Sequence, residues 1–221
     1  MNRLEKIFSA SRKVVIASDV CGYPDMASSA ERLNTLIAAG ANILDLIIPF
    51  SDPMADGAEI QSAAQQALSN GANLLQILQM LGKIRQANPE VGMIINGYCN
   101  VFMQYGFEKL FSQLAELDFD GIIITDLPFE ERSEIAAFSA RYHIPRIVDC
   151  GLTDNEERLQ VITAQAEGVV ITANAGKIDF LRKNAPVPVA SNIAGADAFI
   201  TGVASVMLPQ EKLADFIGSL R

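Results

Sequence analysis

Asp45 lies inside an apolar run, Ile43-Leu-Asp-Leu-Ile-Ile-Pro49. A carboxylate is costly to bury there unless it faces a cavity or a partner. Carboxyls held in such places have displaced pKa values that suit proton transfer. Asp52 and Asp56 follow in the loop Pro49-Phe-Ser-Asp-Pro-Met-Ala-Asp-Gly57, and Asp19, Asn96, Asn100, Asp126 and Asp149 stand at or just past the ends of other apolar runs. Loop aspartates commonly cap helices and make turns, which suits Asp52 before Pro53 and suits Asp45 poorly. His143 is the single histidine and precedes an apolar run, so neither a Ser–His–Asp nor a Cys–His arrangement is expected. Lys177 lies several residues past its nearest run, where a solvated lysine is expected over a Schiff base. Cys21, Cys99 and Cys150 are odd in number, widely spaced and without a C-x-x-C pair. They read as free thiols, not as a disulfide framework or a metal site.

Short runs rich in Val and Ile must position these groups. They fall at 14–18, 43–49, 91–96, 121–125, 144–149, 168–172, 187–191 and 198–201, each with the character of a buried parallel strand. Helical patterns fill the gaps at 29–39, 74–85, 107–117, 130–142, 154–164 and 210–220. Eight runs alternating with helices predict an α/β fold, a (β/α)8 TIM barrel formed as one domain over 1–221. A doubly wound open sheet is the alternative, but Ala17-Ser-Asp-Val-Cys-Gly-Tyr-Pro24 after the first run lacks the dinucleotide-binding glycines. The connections from the sixth to the eighth run are short, which predicts shortened helices there: at most two turns over 177–184 and one over 194–197. A barrel carries its site at the C-terminal ends of its strands. That rim would gather the aspartates and leave His143 on the opposite one.

Composition narrows the classes further. Half of the 221 residues are hydrophobic (50%) and 19% are charged, which supports a packed core and excludes a disordered chain. Lys and Arg number 17 against 26 Asp and Glu, a net charge of −9. Such a surface repels a phosphate backbone, so nucleic acid is not an expected partner. A membrane partner is not expected either, because no apolar stretch approaches the roughly 20 residues that a membrane helix needs. Residues 1–13 are amphipathic and charged without an apolar signal core, so a cytoplasmic protein is expected. A small anion would need a local site, and the best candidates are the glycine-containing segments Ser191-Asn-Ile-Ala-Gly195 and Thr201-Gly-Val-Ala-Ser205.

Asp45-Leu-Ile-Ile-Pro-Phe-Ser-Asp-Pro-Met-Ala-Asp-Gly57 resembles the signature of the tryptophan synthase alpha chain family, Glu-Leu-Gly-x-Pro-Phe-Ser-Asp-Pro-x-Ala-Asp-Gly. Gly22-Tyr-Pro24, Gln61, Tyr98-x-Asn100 and Asp126-x-Pro128-x-Glu130-Glu131 support it, and the resemblance extends to about Thr172. It implies a cofactor-free, cytoplasmic lyase of tryptophan biosynthesis. Such a lyase cleaves indole-3-glycerol phosphate to indole and glyceraldehyde 3-phosphate, in a heteromer with a beta chain. The family's catalytic Glu and Asp map onto Asp45 and Asp56. The first would move protons at the indole ring carbon and the glycerol hydroxyl; the second would stabilise positive charge at the indole N–H. The resemblance places substrate or phosphate contacts at Tyr98, Ser191, Asn192, Ile193, Gly202 and Val203, and partner contacts at Pro49, Asp52 and Pro53, with no metal.

Several positions depart from the family pattern. Asp45 is one methylene shorter than Glu. Ile47 stands for a glycine, Val170 for a tyrosine, Ala190-Ser-Asn-Ile193 for a Gly-Phe-Gly-Ile phosphate loop and Gly202-Val203 for a Gly-Ser pair. Two alternatives therefore stand beside the lyase. One is a catalytically degenerate homologue that binds and activates a beta chain. The other is a barrel lyase or aldolase for a different substrate, using rim carboxylates on a divalent metal such as Mg²⁺.

Overall fold

A computed structural model describes residues 1–11, 13–151 and 153–221. The Val/Ile-rich runs form eight strands: β1 (Val14–Val20), β2 (Ile43–Ile47), β3 (Gly92–Gly97), β4 (Gly121–Ile124), β5 (Val148–Cys150), β6 (Val170–Thr172), β7 (Val189–Ser191) and β8 (Ala198–Ile200). All pair in parallel, in the order β4-β3-β2-β1-β8-β7-β6-β5. Among the described residues a single bridge, Ile122 to Arg146, joins the two ends of that order, so the sheet is a nearly closed barrel. Around it run α1 (Arg3–Ala10), α2 (Met26–Ala38), α3 (Ala58–Ser69), α4 (Leu74–Ala87), α5 (Cys99–Tyr105), α6 (Phe107–Glu116), α7 (Ser133–Tyr142), α8 (Glu156–Ala164), α9 (Ile178–Asn184), α10 (Val203–Met207) and α11 (Gln210–Leu220). Among the described residues no helix is long and apolar enough to cross a membrane.

Period-2 alternation sorts the strand residues into two cores. Ile16, Ile43, Ile94, Ile123, Ile147 and Ile171 point into the barrel. Leu44, Leu46, Met93, Ile95 and Ile122 point outward into the layer shared with α2, α4 and α6. Helix α1 closes the bottom, with Leu4, Ile7 and Phe8 packed on the interior cluster. Its start is fixed by a capping box in which Asn2 accepts from the Glu5 amide and Glu5 accepts from that of Asn2.

Three sequence expectations are corrected here. β1 extends to Val20, so Asp19 is a strand residue facing outward and not a rim acid. β5 starts at Val148, not 144, because Pro145 has no amide to give the ladder; its carbonyl accepts from Ile122 instead. Segment 194–197 forms no helical turn. The amide of Asp197 donates to the Val189 carbonyl and its carboxylate accepts from the Val189 amide, tying the segment to β7 as a turn around left-handed Gly195. Val170, which stands where the family has a tyrosine, packs with Leu159, Ile162 and Leu181 under α8 and α9. The thinning around strands six to eight is present: α9 has seven residues and α10 five.

One buried ion pair ties the two ends of the chain together. Arg32 on α2 donates to both Asp19 oxygens, at 2.9 and 3.3 Å. It also donates to the carbonyls of Ser205, Val206 and Leu208, at 2.9, 3.1 and 2.8 Å, where α10 runs out of internal acceptors. Burial lifts the Asp19 pKa to about 6 even beside the guanidinium. Arg32→Met would leave a buried carboxylate without its cation and is expected to cost about 3–5 kcal/mol in urea unfolding. A loss within experimental error of zero would show that the pair does not hold α10 to β1.

Candidate active site

Ser18, Asp45 and Asn96 on β1, β2 and β3, and Thr125 just past β4, face inward at the C-terminal end of the barrel. Their side chains form one chain of hydrogen bonds. Ser18 Oγ donates to Asp45 Oδ2 at 2.7 Å, Asn96 Nδ2 donates to Asp45 Oδ1 at 3.1 Å, and Thr125 Oγ1 donates to Asn96 Oδ1 at 2.9 Å. Asp45 is 4% exposed. Burial raises its pKa and the nearby Asp56 charge adds to this, while the bonds from Ser18 and Asn96 act against it. Both lone-pair directions are thus fixed, which sets the rotamer of a carboxyl that can hold or release a proton.

The loop over this carboxyl is fastened by Tyr98, which precedes α5. The Tyr98 hydroxyl donates to Asp56 Oδ2 at 2.7 Å and accepts from the Ala55 amide at 3.0 Å. Its ring lies against Phe50, with centroids 5.1 Å apart. From α3, Gln61 Nε2 donates to the carbonyls of Asp56 and Pro53, at 2.9 and 3.4 Å. Burial pushes the Tyr98 hydroxyl pKa up, and its bond to the Asp56 carboxylate adds to this. Burial also raises Asp56, against the bond from Tyr98. Tyr98 is therefore bound to the loop in this structure. Of the three residues expected to meet a partner, Pro49 and Pro53 are buried and only Asp52 is exposed. Met54, which the sequence reading passed over, is 91% exposed at the loop tip.

The expected phosphate residues fall on adjacent strand ends. Ser191 closes β7 and accepts from the Ile193 amide at 3.2 Å, and Gly202 caps α10 with φ +52°. A side chain added at Gly202 would meet nothing within 4 Å. Asn192 and Val203 are exposed and Ile193 is half-buried. The hydroxyls of Thr201 and Ser205 are engaged with each other at 2.5 Å, and Thr201 Oγ1 accepts from the Ser18 amide. Ile47 packs against Val20, Ile60, Ala63 and Val206 at the mouth.

Asp149 is the residue whose part in the site strand parity could have revealed. It lies two positions after inward-facing Ile147, so its side chain enters the mouth, where it is exposed to solvent although protein atoms crowd around it. Burial pushes its pKa to about 6, the Asp45 charge adds to the rise, and Arg132 opposes it. His143 lies at the opposite rim, as a left-handed cap of α7. Lys177 sits 3.8 Å from Glu156. Among the described residues no group of three His, Cys, Asp or Glu side chains could hold a metal ion.

The Asp149 geometry sets a pH dependence. Its folded pKa of about 6 lies above the ordinary value of about 3.9. Its contribution to stability is therefore present in full at low pH and is lost as the pH rises through about 6. Asp149→Asn is expected to raise the urea midpoint at pH 8 and to change it much less at pH 4. A midpoint at pH 8 lowered by the substitution would contradict the assignment.

Comparison with known proteins fits this architecture. The family model described as tryptophan synthase alpha chain matches residues 4–206. A tryptophan synthase alpha chain of Bacteroides fragilis is 37% identical over 172 residues, covering 77% of this chain and 65% of that one. One from Chloroflexus aggregans is also 37% identical, covering 76% and 64%. The chain thus spans just under two thirds of the length of these relatives. Among solved structures, tryptophan synthase subunit alpha from Legionella pneumophila superposes with a TM-score of 0.87 at 25% identity, covering 100% of this chain and 97% of that one. With inward Asp45 and the fastened 49–57 loop in place, the chain belongs to the tryptophan synthase alpha chain family.

Proposed function

We propose that the chain cleaves indole-3-glycerol phosphate to indole and glyceraldehyde 3-phosphate, with Asp45 as the proton-transfer group. The observation that carries this reading is a buried carboxyl with a raised pKa, held by Ser18 and Asn96 at the barrel mouth. The protonated Asp45 gives its proton to the indole ring carbon that bears the side chain. Positive charge then develops at the ring nitrogen, whose N–H faces the Asp56 carboxylate. Asp45, now ionised, takes the proton of the glycerol hydroxyl. The carbon–carbon bond breaks, its electron pair returns to the ring, and indole and the aldehyde separate. Asp45 ends protonated as it began, so no external acid or base is consumed.

With Asp45 4% exposed, a bicyclic ring reaches it only when the 49–57 loop lifts. That motion breaks the Tyr98 bonds to Ala55 and Asp56 and returns them on closure, so the loop brings Asp56 to the ring as it shuts water out. The exposed Asp52 and Met54 at the loop tip support a heteromer in which a beta chain presses on this loop and times its closure.

Asp45→Asn is expected to lower indole release by about 100-fold or more, measured with the purified chain alone and with a beta chain. Retention of full activity would remove Asp45 from the chemistry. Tyr98→Phe keeps the ring contact with Phe50 but drops both loop bonds. It is expected to lower activity less than Asp45→Asn and to speed hydrogen exchange at the Ala55 amide. Unchanged exchange would show that the hydroxyl does not hold the loop.

A further inference from the structure

The main chain of β1 gives alternate residues to its two neighbours. On the β2 side the Val15 carbonyl accepts from the Asn42 amide and the Cys21 amide donates to the Ile47 carbonyl, at 2.9 and 2.8 Å. The even-numbered residues face β8, where the Ile16 carbonyl accepts from the Thr201 amide at 2.9 Å. Pairing with β8 runs from Val14–Ala198 to Ile16–Ile200. The next position on that side is Ser18. There the chain after β8 has already turned, through Gly202 at φ +52°, into α10. Ser18 is fully buried, so its amide and carbonyl need partners that the β8 main chain no longer offers.

Two side chains supply them. The Ser18 amide donates to Thr201 Oγ1 at 2.9 Å, and Ser205 Oγ donates to the Ser18 carbonyl at 2.5 Å. Thr201 and Ser205 are bonded to each other at 2.5 Å. A hydroxyl has one hydrogen to give. That of Ser205 lies on the Ser18 carbonyl, with the Gly202 carbonyl a longer alternative at 3.3 Å, so Thr201 is the donor to Ser205. The bonds close into a ring that runs from the Ser18 amide through Thr201 and Ser205 back to the Ser18 carbonyl. Thr201 and Ser205 are both buried. Ser205 is also fixed from outside the barrel, because Arg32 donates to its carbonyl and to that of Val206. The hydroxyl of Ser18 itself donates to Asp45 Oδ2 at 2.7 Å, so any swing of the Ser18 main chain carries that bond with it.

We propose that Thr201 and Ser205 are positioning residues for proton transfer: their hydroxyls continue the ladder past the end of β8, fix the main chain of Ser18, and so hold the Asp45 carboxyl in its reacting direction. This deepens the lyase reading and rests on it for the reaction. Neither side chain touches the reacting atoms. Each acts through Ser18, and a displacement near 1 Å at a reacting group can cost on the order of 100-fold in rate.

Thr201→Val keeps the shape of the side chain and removes its hydroxyl, Ser205→Ala removes the other hydroxyl, and Thr201→Ser retains one. Ser139→Ala on α7 is the control, since Ser139 is also buried and donates to a main-chain carbonyl, that of Ile144, at 2.8 Å. Thr201→Val and Ser205→Ala are each expected to lower kcat for indole release about tenfold with KM changed less than about twofold. Thr201→Ser is expected to restore most of the rate, and Ser139→Ala to lower the urea midpoint with kcat unchanged. Unchanged kcat with a raised KM would overturn the assignment and give the hydroxyls to substrate binding. Titration of the Asp45 carboxyl by nuclear magnetic resonance, its signal assigned by Asp45→Asn, reads the same contact without turnover. Asp56, Asp149 and the Cys21 thiol interact with Asp45, and none of these variants alters them. Loosening the Ser18 bond to the carboxylate is expected to raise the Asp45 midpoint by about half a pH unit or more in both Thr201→Val and Ser205→Ala, and Ser139→Ala to leave it in place. Thr201→Val serves where Ser205→Ala does not fold. An Asp45 midpoint indifferent to both hydroxyls would overturn the positioning role. Failure of the lyase reading looks different: the wild type releases no indole, yet the Asp45 midpoint still moves with Thr201 and Ser205.

Discussion

A carboxylate inside a barrel of Val and Ile side chains would be expelled or neutralised if it stood alone. Asp45 is not expelled, because the sheet register delivers Ser18 to one of its oxygens and Asn96 to the other. Asn96 is oriented in turn by Thr125, three strands away from Ser18. The arrangement needs β1 to β4 in fixed register, and these are the longer strands of the barrel, with Ser18 directly opposite Asp45 in the ladder. The cost of burying the carboxyl is thereby turned into a raised pKa and a fixed direction, the two properties that a proton-transfer group requires.

The other half of the barrel is built differently. β5 to β8 are three residues each, and the helices beside them are short. The Arg32–Asp19 pair compensates by tying the carbonyl end of α10 to β1 and α2, so the thin side is anchored through the thick one. Closure is weakest where the two halves meet at β4 and β5. The same gap that interrupts the ladder leaves Asp149 and Arg132 facing open space.

Much of this was legible in the residues. Eight Val/Ile-rich runs gave the strand count, and Asp45 stood out as a charge within one of them. Pro49 and the Pro53-to-Gly57 segment marked the loop above it. Other features depended on contacts that no local pattern encodes. α3 is buried through Ile60 and the small side chains of Ala63, Ala64 and Ala67, which give a faint apolar stripe, so it had no clear signal. Asp19 looked like a rim acid because its partner Arg32 lies on the next helix. Val170 stands where the family has a tyrosine, and period-2 alternation from Val169 and Ile171 turns its side chain outward. The same alternation, counted from Ile147, would have placed Asp149 in the mouth.

The central claim is that Asp45 moves a proton to and from the indole ring carbon. Proton exchange at that carbon of indole itself isolates the step, since it needs no phosphate, no carbon–carbon bond cleavage and no partner chain. Incubating indole with the protein in deuterated water and following the loss of that ring proton by nuclear magnetic resonance measures it directly. The account predicts exchange well above the protein-free rate for the wild type and a return to that rate for Asp45→Asn. Equal exchange by both proteins would contradict it.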